Sequence, residues 1–173
     1  MERSDKPVET DPMLHDMGLR KTMGFSVVFQ SARCVKMDLP VRPELYQPSH
    51  FLHGGATLTL LESCASWASQ LGIDNDRYFS FGSHVDVRHL NSIREGTLHG
   101  TATFNTQEDL GDRGIREYWN VEATDDKGQI ISKGTVTTRV VSKEYFASRE
   151  ERKREQRADD PSAQVGEKSE EGR

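Results

Sequence analysis

The sequence predicts an α+β domain, one long helix covered by a mostly antiparallel sheet. Three observations carry this. Residues 55 to 71 run with a single charge, Glu62, so most of that helix must be covered. Four later stretches alternate apolar and polar residues with period two, as half-buried strands do. Between the last two stands Asp125-Asp126-Lys127-Gly128, a hairpin turn.

The elements follow in order. Residues 1–11 are polar and are expected to be disordered. The domain proper is expected over 12–142. Asp11-Pro12 can open a short helix, Met13 to Met17, ended by Gly18. Met23 to Leu39 alternates loosely and reads as a long strand or a hairpin. Pro40, Pro43 and Pro48 mark a loop. The helix runs from about Gly55 to Leu71 and ends at Gly72. Strands are expected over Phe79–Leu90, Thr97–Thr106, Gly114–Ala123 and Ile130–Val141. Residues 143–173 form a charged tail, first a frayed, salt-bridged helix and then a disordered segment.

Composition narrows the function. The 173 residues fit one domain with trimmings. The net charge is −5 with no basic block outside the tail, which argues against nucleic acid as a partner. Two cysteines make no secreted-type disulfide framework. No apolar h-region and no membrane-spanning stretch is visible, so a cytoplasmic protein with no membrane partner is expected.

Glu62 is the informative residue. On a helical net, Leu58, Glu62, Ser66 and Ser69 share one face, and Leu61, Ala65, Ala68 and Leu71 share another. Glu62 lies two turns inside the helix, too deep to serve as a first-turn dipole partner. An ordinary surface glutamate is the commonest reading, but a solvent-facing helix side usually carries several charges. A carboxylate covered by the sheet is partly desolvated and poised as a base or nucleophile. His53-Gly54-Gly55 stands at the helix start. Glycines there admit a substrate close to the backbone, and free N–H groups at the positive end of the helix suit an oxyanion. Gln47, just upstream, can add a side-chain N–H. Together these make a layout for acyl transfer to water.

The pattern Q-P-x-x-x-L-H-G-G-A-x-x-x-L-x-E-S-x-x-S, Gln47 to Ser66, closely resembles the hotdog-fold acyl-CoA thioesterases. The similarity is to the branch of the phenylacetic acid pathway, Arthrobacter-type 4-hydroxybenzoyl-CoA and 1,4-dihydroxy-2-naphthoyl-CoA enzymes. R-H-L-N-S-I-R-E-G, Arg88 to Gly96, resembles a second stretch of that branch, and the closing hairpin from Trp119 to Thr135 resembles it more weakly. The resemblance covers about residues 15 to 141. It implies a hotdog fold, with Glu62 as nucleophile or general base. It also implies Gly55 N–H as oxyanion donor, Gln47 and His53 on the thioester carbonyl, and Ser66 beside the attacking water. His89 would line the acyl pocket, with Gly54 and Trp67 also against the substrate. It implies homodimers or homotetramers with active sites between subunits, and no cofactor. The chain departs from the family at His50, where glycine is common, and at Trp67, where something smaller is usual. Both would reshape the acyl pocket.

Other candidates are weaker. His50 and His53 form an H-x-x-H pair without further ligands at metal-site spacing, so no metal is expected. Cys64 reads as a packing residue, and His84 and His99 as structural or surface residues on strands. Ser63 and Ser66 lack a nucleophile elbow. Arg88, Arg94, Lys133 and Arg139 are available for CoA phosphates, although plain surface roles are commoner. The expected reaction is hydrolysis of an acyl-CoA, with an aryl acyl group favoured. A hotdog hydratase or dehydratase, and a non-catalytic acyl-CoA-binding protein, are the alternatives.

Overall fold

The computed structural model describes residues 3–9 and 18–158. Helix α1 spans Gly18–Met23, followed by strands β1, Ser26–Gln30, and β2, Cys34–Pro40. Helix α2 spans Gly54–Leu71. Strands β3, Tyr78–His89, β4, Thr97–Asp109, β5, Ile115–Thr124, and β6, Ile130–Ser142, precede helix α3, Lys143–Ala158. All strand pairs are antiparallel, in the order β1-β2-β4-β5-β6-β3. This is the α+β hotdog architecture, a sheet wrapped on one long helix.

The stretch from Met23 to Leu39 resolves as a hairpin because Ser31 closes a turn inside it. The Ser31 N–H donates to Cys34 O at 2.8 Å, and Ser31 Oγ accepts from Cys34 N at 2.9 Å. On β2, Val35, Met37 and Leu39 alternate inward and are fully buried. They meet Ala56, Leu60, Leu61, Cys64, Ala65 and Ala68 of α2. β4, β5 and β6 of the same sheet add Leu98, Ala102, Trp119, Val121 and Val136. Small residues on α2 let the sheet come close. A Cβ on Gly100 of β4 would stand 2.7 Å from Leu60 Cγ.

One expectation needs correction. Residues 3–9 are not loose. Val8 N–H donates to Gln30 O at 3.0 Å, and Arg3 is buried in the domain, paired with Glu117 of β5. Composition misses this because the pairing is one long-range contact, not a local pattern. Gly18 opens α1 with φ 56; the helix expected over 13–17 lies outside the described residues. As expected, α2 ends at Gly72, which takes φ −94 and whose N–H donates to Ser69 O. Gly72 is small because a side chain there would overlap the Arg3 guanidinium.

The described part of the tail is helical. Phe146 of α3 packs on Phe79 and Phe81 of β3, with centroids 5.4 and 5.5 Å away. Lys153 pairs with Glu150 at 2.8 Å. Residues 159–173 lie outside the described residues. Among the described residues, no helix is long and apolar enough to cross a membrane.

Candidate active site

The loop before α2 is held by its own backbone. Gln47 N–H donates to Phe51 O and His50 N–H to Gln47 O, both at 2.9 Å. The turn places His50 at φ 60, the left-handed region that favours glycine. Leu52 N–H donates to Ile93 O at 2.9 Å, tying the loop to the chain after β3. His53 then caps the helix: its Nδ1 accepts from Gly55 N–H at 2.9 Å. Two groups expected to act separately on a carbonyl are therefore bonded to each other. The cap has a further consequence. With Nδ1 as acceptor, a neutral His53 carries its proton on Nε2, and the ring is exposed.

Gly54 is small for a structural reason as well. A Cβ there would lie 2.9 Å from His89 Nε2, so the end of β3 rests on the start of α2. His89 Nδ1 in turn meets Ser132 Oγ at 2.9 Å. Gln47, Gly54, Thr57, His89 and Asn91 share a cavity of about 160 Å³.

Glu62 and Ser66 form a second cluster. Ser66 Oγ donates to Glu62 Oε1 at 2.5 Å, and both are half-buried. Gly82 of β3 passes directly over the carboxylate, where a side chain would overlap Glu62 Oε1. A β-bulge follows at once, between Gly82 and His84. The carboxylate opens on a cavity of about 540 Å³ lined by Arg20, Glu62, Ser63, Ser66, Trp67 and Ser80, among others. Trp67 forms one wall. Its Nε1–H donates to Gln30 Oε1 at 2.8 Å, and the Arg20 guanidinium stands 4.3 Å over its ring. Burial lowers the Arg20 pKa from its ordinary value.

The predicted residues thus fall into two groups: Gln47, His53, Gly54, Gly55 and His89 at the helix start, and Glu62, Ser66 and Trp67 further along. On α2 the helix start at Gly55 and Glu62 are seven residues apart, about 10 Å along the helix axis. Sequence reasoning missed Gly82, Ser80 and Arg20. An isolated glycine inside a strand pattern, as at Gly82, was the available signal.

The remaining candidates separate cleanly. Arg88 and Lys133 face each other across β3 and β6 and line a cavity of about 590 Å³, with Lys36, on the sheet face away from α2. Arg139 donates to Arg113 O at 2.7 Å. Arg94 stacks 3.9 Å over Phe51, beside the loop that leads into α2. Cys64 is fully buried, and desolvation pushes its thiol pKa up, which suits packing and not nucleophilic attack. His99 bridges Asp38 and Asp126 at 2.7 and 3.0 Å. Among the described residues no three His, Cys, Asp or Glu side chains converge as a metal site.

No family model matches the chain. The 1,4-dihydroxy-2-naphthoyl-CoA hydrolase of Escherichia coli (strain K12) is 31% identical over 107 residues, spanning 62% of this chain and 74% of that one. A thioesterase of Pseudomonas aeruginosa, solved as a glutamine-to-alanine variant, superposes with a TM-score of 0.68 at 25% identity, covering 76% of this chain and 91% of that one. A Staphylococcus aureus thioesterase, solved as glutamate-to-alanine and glutamine-to-alanine variants, superposes in the first form with a TM-score of 0.66 at 26% identity. That match covers 72% of this chain and 99% of the other. With its fold and both motif clusters in place, the chain belongs to the hotdog-fold acyl-CoA thioesterases, in the branch that holds the 1,4-dihydroxy-2-naphthoyl-CoA hydrolases, and is a thioester hydrolase.

Proposed function

We propose that the protein hydrolyses an acyl-CoA thioester, with an aryl acyl group, to free acid and CoA in a site shared by two copies of the chain. One copy supplies the helix start with Gln47, His53 and Gly55, and the other supplies Glu62 and Ser66. The observation that carries this is Glu62 itself, half-buried under Gly82, bonded to Ser66 and open to a cavity. The relatives support it. In the Staphylococcus aureus thioesterase, the altered glutamine and glutamate stand as far apart in sequence as Gln47 and Glu62 do here.

The shared site rests on β3. This strand ends the sheet, so its outer edge is unpaired among the described residues, and Phe79, Phe81 and Val85 are exposed along it. Antiparallel pairing of two β3 strands about a two-fold axis near Val85 and Asp86 would set Gly82 of one copy opposite His89 of the other. That brings Glu62 of one chain to the Gly55 end of its partner's α2. A homotetramer of two such dimers remains compatible.

The chemistry follows from the groups. The thioester oxygen would take the Gly55 N–H that His53 Nδ1 now holds, with the His53 Nε2–H and the Gln47 amide as further donors to it. Glu62 takes a proton from water, and the resulting hydroxide attacks the carbonyl carbon. The tetrahedral oxyanion collapses, expels the CoA thiolate, and the thiolate takes its proton from Glu62. In the nucleophilic variant Glu62 attacks first and water opens the anhydride. Ser66 holds Oε1 in either course. No cofactor takes part, and free Cys34 and Cys64 suit a reducing cytoplasm.

The test is thiol release from aryl and straight-chain acyl-CoAs by the wild type and Glu62→Gln. Loss of a general base should lower the rate about 10²–10⁴-fold. Equal rates would remove Glu62 from the mechanism. Binding without thiol release from any ester would favour a hydratase or a non-catalytic binding protein, and release only from acyl carrier protein would change the carrier.

A further inference from the structure

A second carboxylate lies under the same helix. Glu117 occupies an inward position of β5 and is 1% exposed. Its Oε2 accepts from Ser69 Oγ of α2 at 2.6 Å and from Thr138 Oγ1 of β6 at 2.9 Å. Trp119 Nε1–H donates to Thr138 Oγ1 at 3.0 Å. The other oxygen pairs with Arg3. Arg3 Nη1 also donates to Ala32 O at 2.8 Å and to Ala68 O at 3.1 Å, a carbonyl in the last turns of α2. Its guanidinium lies 5.1 Å from the Trp119 ring centroid. The N-terminal residues thus reach into the domain to neutralise a buried charge.

The network does not stop at Glu117. Ser69 Oγ lies 2.6 Å from Ser80 Oγ of β3. A carboxylate only accepts, so the Ser69 hydroxyl donates to Glu117 and Ser80 is the donor to Ser69. Ser80 lines the Glu62 cavity. Two residues on, and on the same face of β3, Gly82 lies against Glu62 Oε1, and its absent Cβ would stand 3.4 Å from Ser66 Oγ. β3 is paired on one side only. In the dimer proposed above its other edge meets the partner's β3, and the Ser69–Ser80 contact is the side-chain tie that joins its inner face to α2.

We propose that Arg3 and Glu117 are positioning residues for the catalytic carboxylate: they orient Ser69, Ser69 holds Ser80, and β3 is thereby set over α2 where Gly82 confines Glu62. This rests on Glu62 being the catalytic group. Neither Arg3 nor Glu117 touches substrate. Their effect is on geometry at the reacting centre, where small displacements weigh heavily on the chemical step.

The experiment compares wild type, Ser69→Ala, Arg3→Met and Arg3→Lys in the full chain, with thermal unfolding recorded and kcat and KM measured well below each Tm. Ser69→Ala is the mildest, since it cuts the link to Ser80 and leaves the Arg3–Glu117 pair. Ser69→Ala and Arg3→Met should each lower kcat about tenfold, with KM changed less than about twofold. Arg3→Lys keeps a cation on Glu117 and should recover most of kcat. A folded Ser69→Ala with a lower Tm and wild-type kcat would overturn the inference, leaving the network a purely structural one. Glu62→Gln, assayed alongside, separates the two claims. If that variant is fully active, the catalytic reading falls and takes the inference with it. If it is inactive while Ser69→Ala keeps kcat, only the inference falls.

Discussion

β3 and β5 lie against the same helix and are treated in opposite ways. β5 is central, and its inward residues Glu117, Trp119, Val121 and Ala123 are buried, the carboxylate among them fully partnered. β3 is an edge, exposed along most of its length, and the carboxylate beneath it is only half covered. Its inward-facing Val85 is 38% exposed, which wastes apolar surface in an isolated chain. The difference separates structure from chemistry. A carboxylate that must stay put is buried and tied from several elements. The one proposed to meet substrate is held by a single serine and covered by a glycine.

The largest effect should come from breaking the β5 side. Glu117→Ala leaves a buried guanidinium without its anion and should destabilise the fold by about 3–5 kcal/mol, read by denaturant unfolding. Glu62→Gln should leave stability within about 1 kcal/mol of wild type while abolishing thiol release, so the two carboxylates dissociate in one pair of assays. Next in size is the edge. Val85→Asp places like charges across the β3–β3 pairing and should turn a dimer into an inactive monomer, visible by sedimentation. An active monomer would refute the shared site. Gly82→Ala is smaller. Its methyl must push the Glu62 carboxylate aside, and kcat should fall about tenfold with Tm nearly unchanged.

The smallest effect concerns the far end of β4. Hydrogen bonding to Asp38, then to Asp126, raises the His99 pKa above its ordinary value. A histidine with a raised folded pKa adds stability that is complete below the unfolded value of about 6.5 and is lost as pH rises through the higher folded one. The Tm gap between wild type and His99→Gln should therefore be widest in mild acid and close toward alkaline pH. A gap that widens with pH would contradict the pairing.

How much was legible follows the same division. α2 and strands β3 to β6 are written in local periodicity. The turn at Asp125 is written in its residues, for Asp125 Oδ1 accepts from Lys127 N–H at 2.9 Å and Gly128 takes φ 76. Glu62 stood out because nothing around it was charged. The separation of the helix start from Glu62 was legible, since seven residues of helix are about 10 Å. The Arg3–Glu117 pair was only half written. Glu117 sits in phase with Ile115, Trp119, Val121 and Ala123, an acidic residue in an apolar register, which is a signal in itself. That its counter-ion comes from residue 3 is invisible to any local rule.

That partnership also orders events in time. Arg3 and Glu117 are 114 positions apart, so during synthesis the guanidinium leaves the ribosome long before the anion that it serves. α2 can form in the interval, but Ser69 has no carboxylate to bond and the hollow beside Gly72 has no wall. The N-terminal arm must wait for β5 and then thread back, which makes its docking a late, non-local closure and a natural slow step in folding. A nascent chain that stalls before β5 will carry an undocked arm and an unfinished core, the form that chaperones and proteases would meet first.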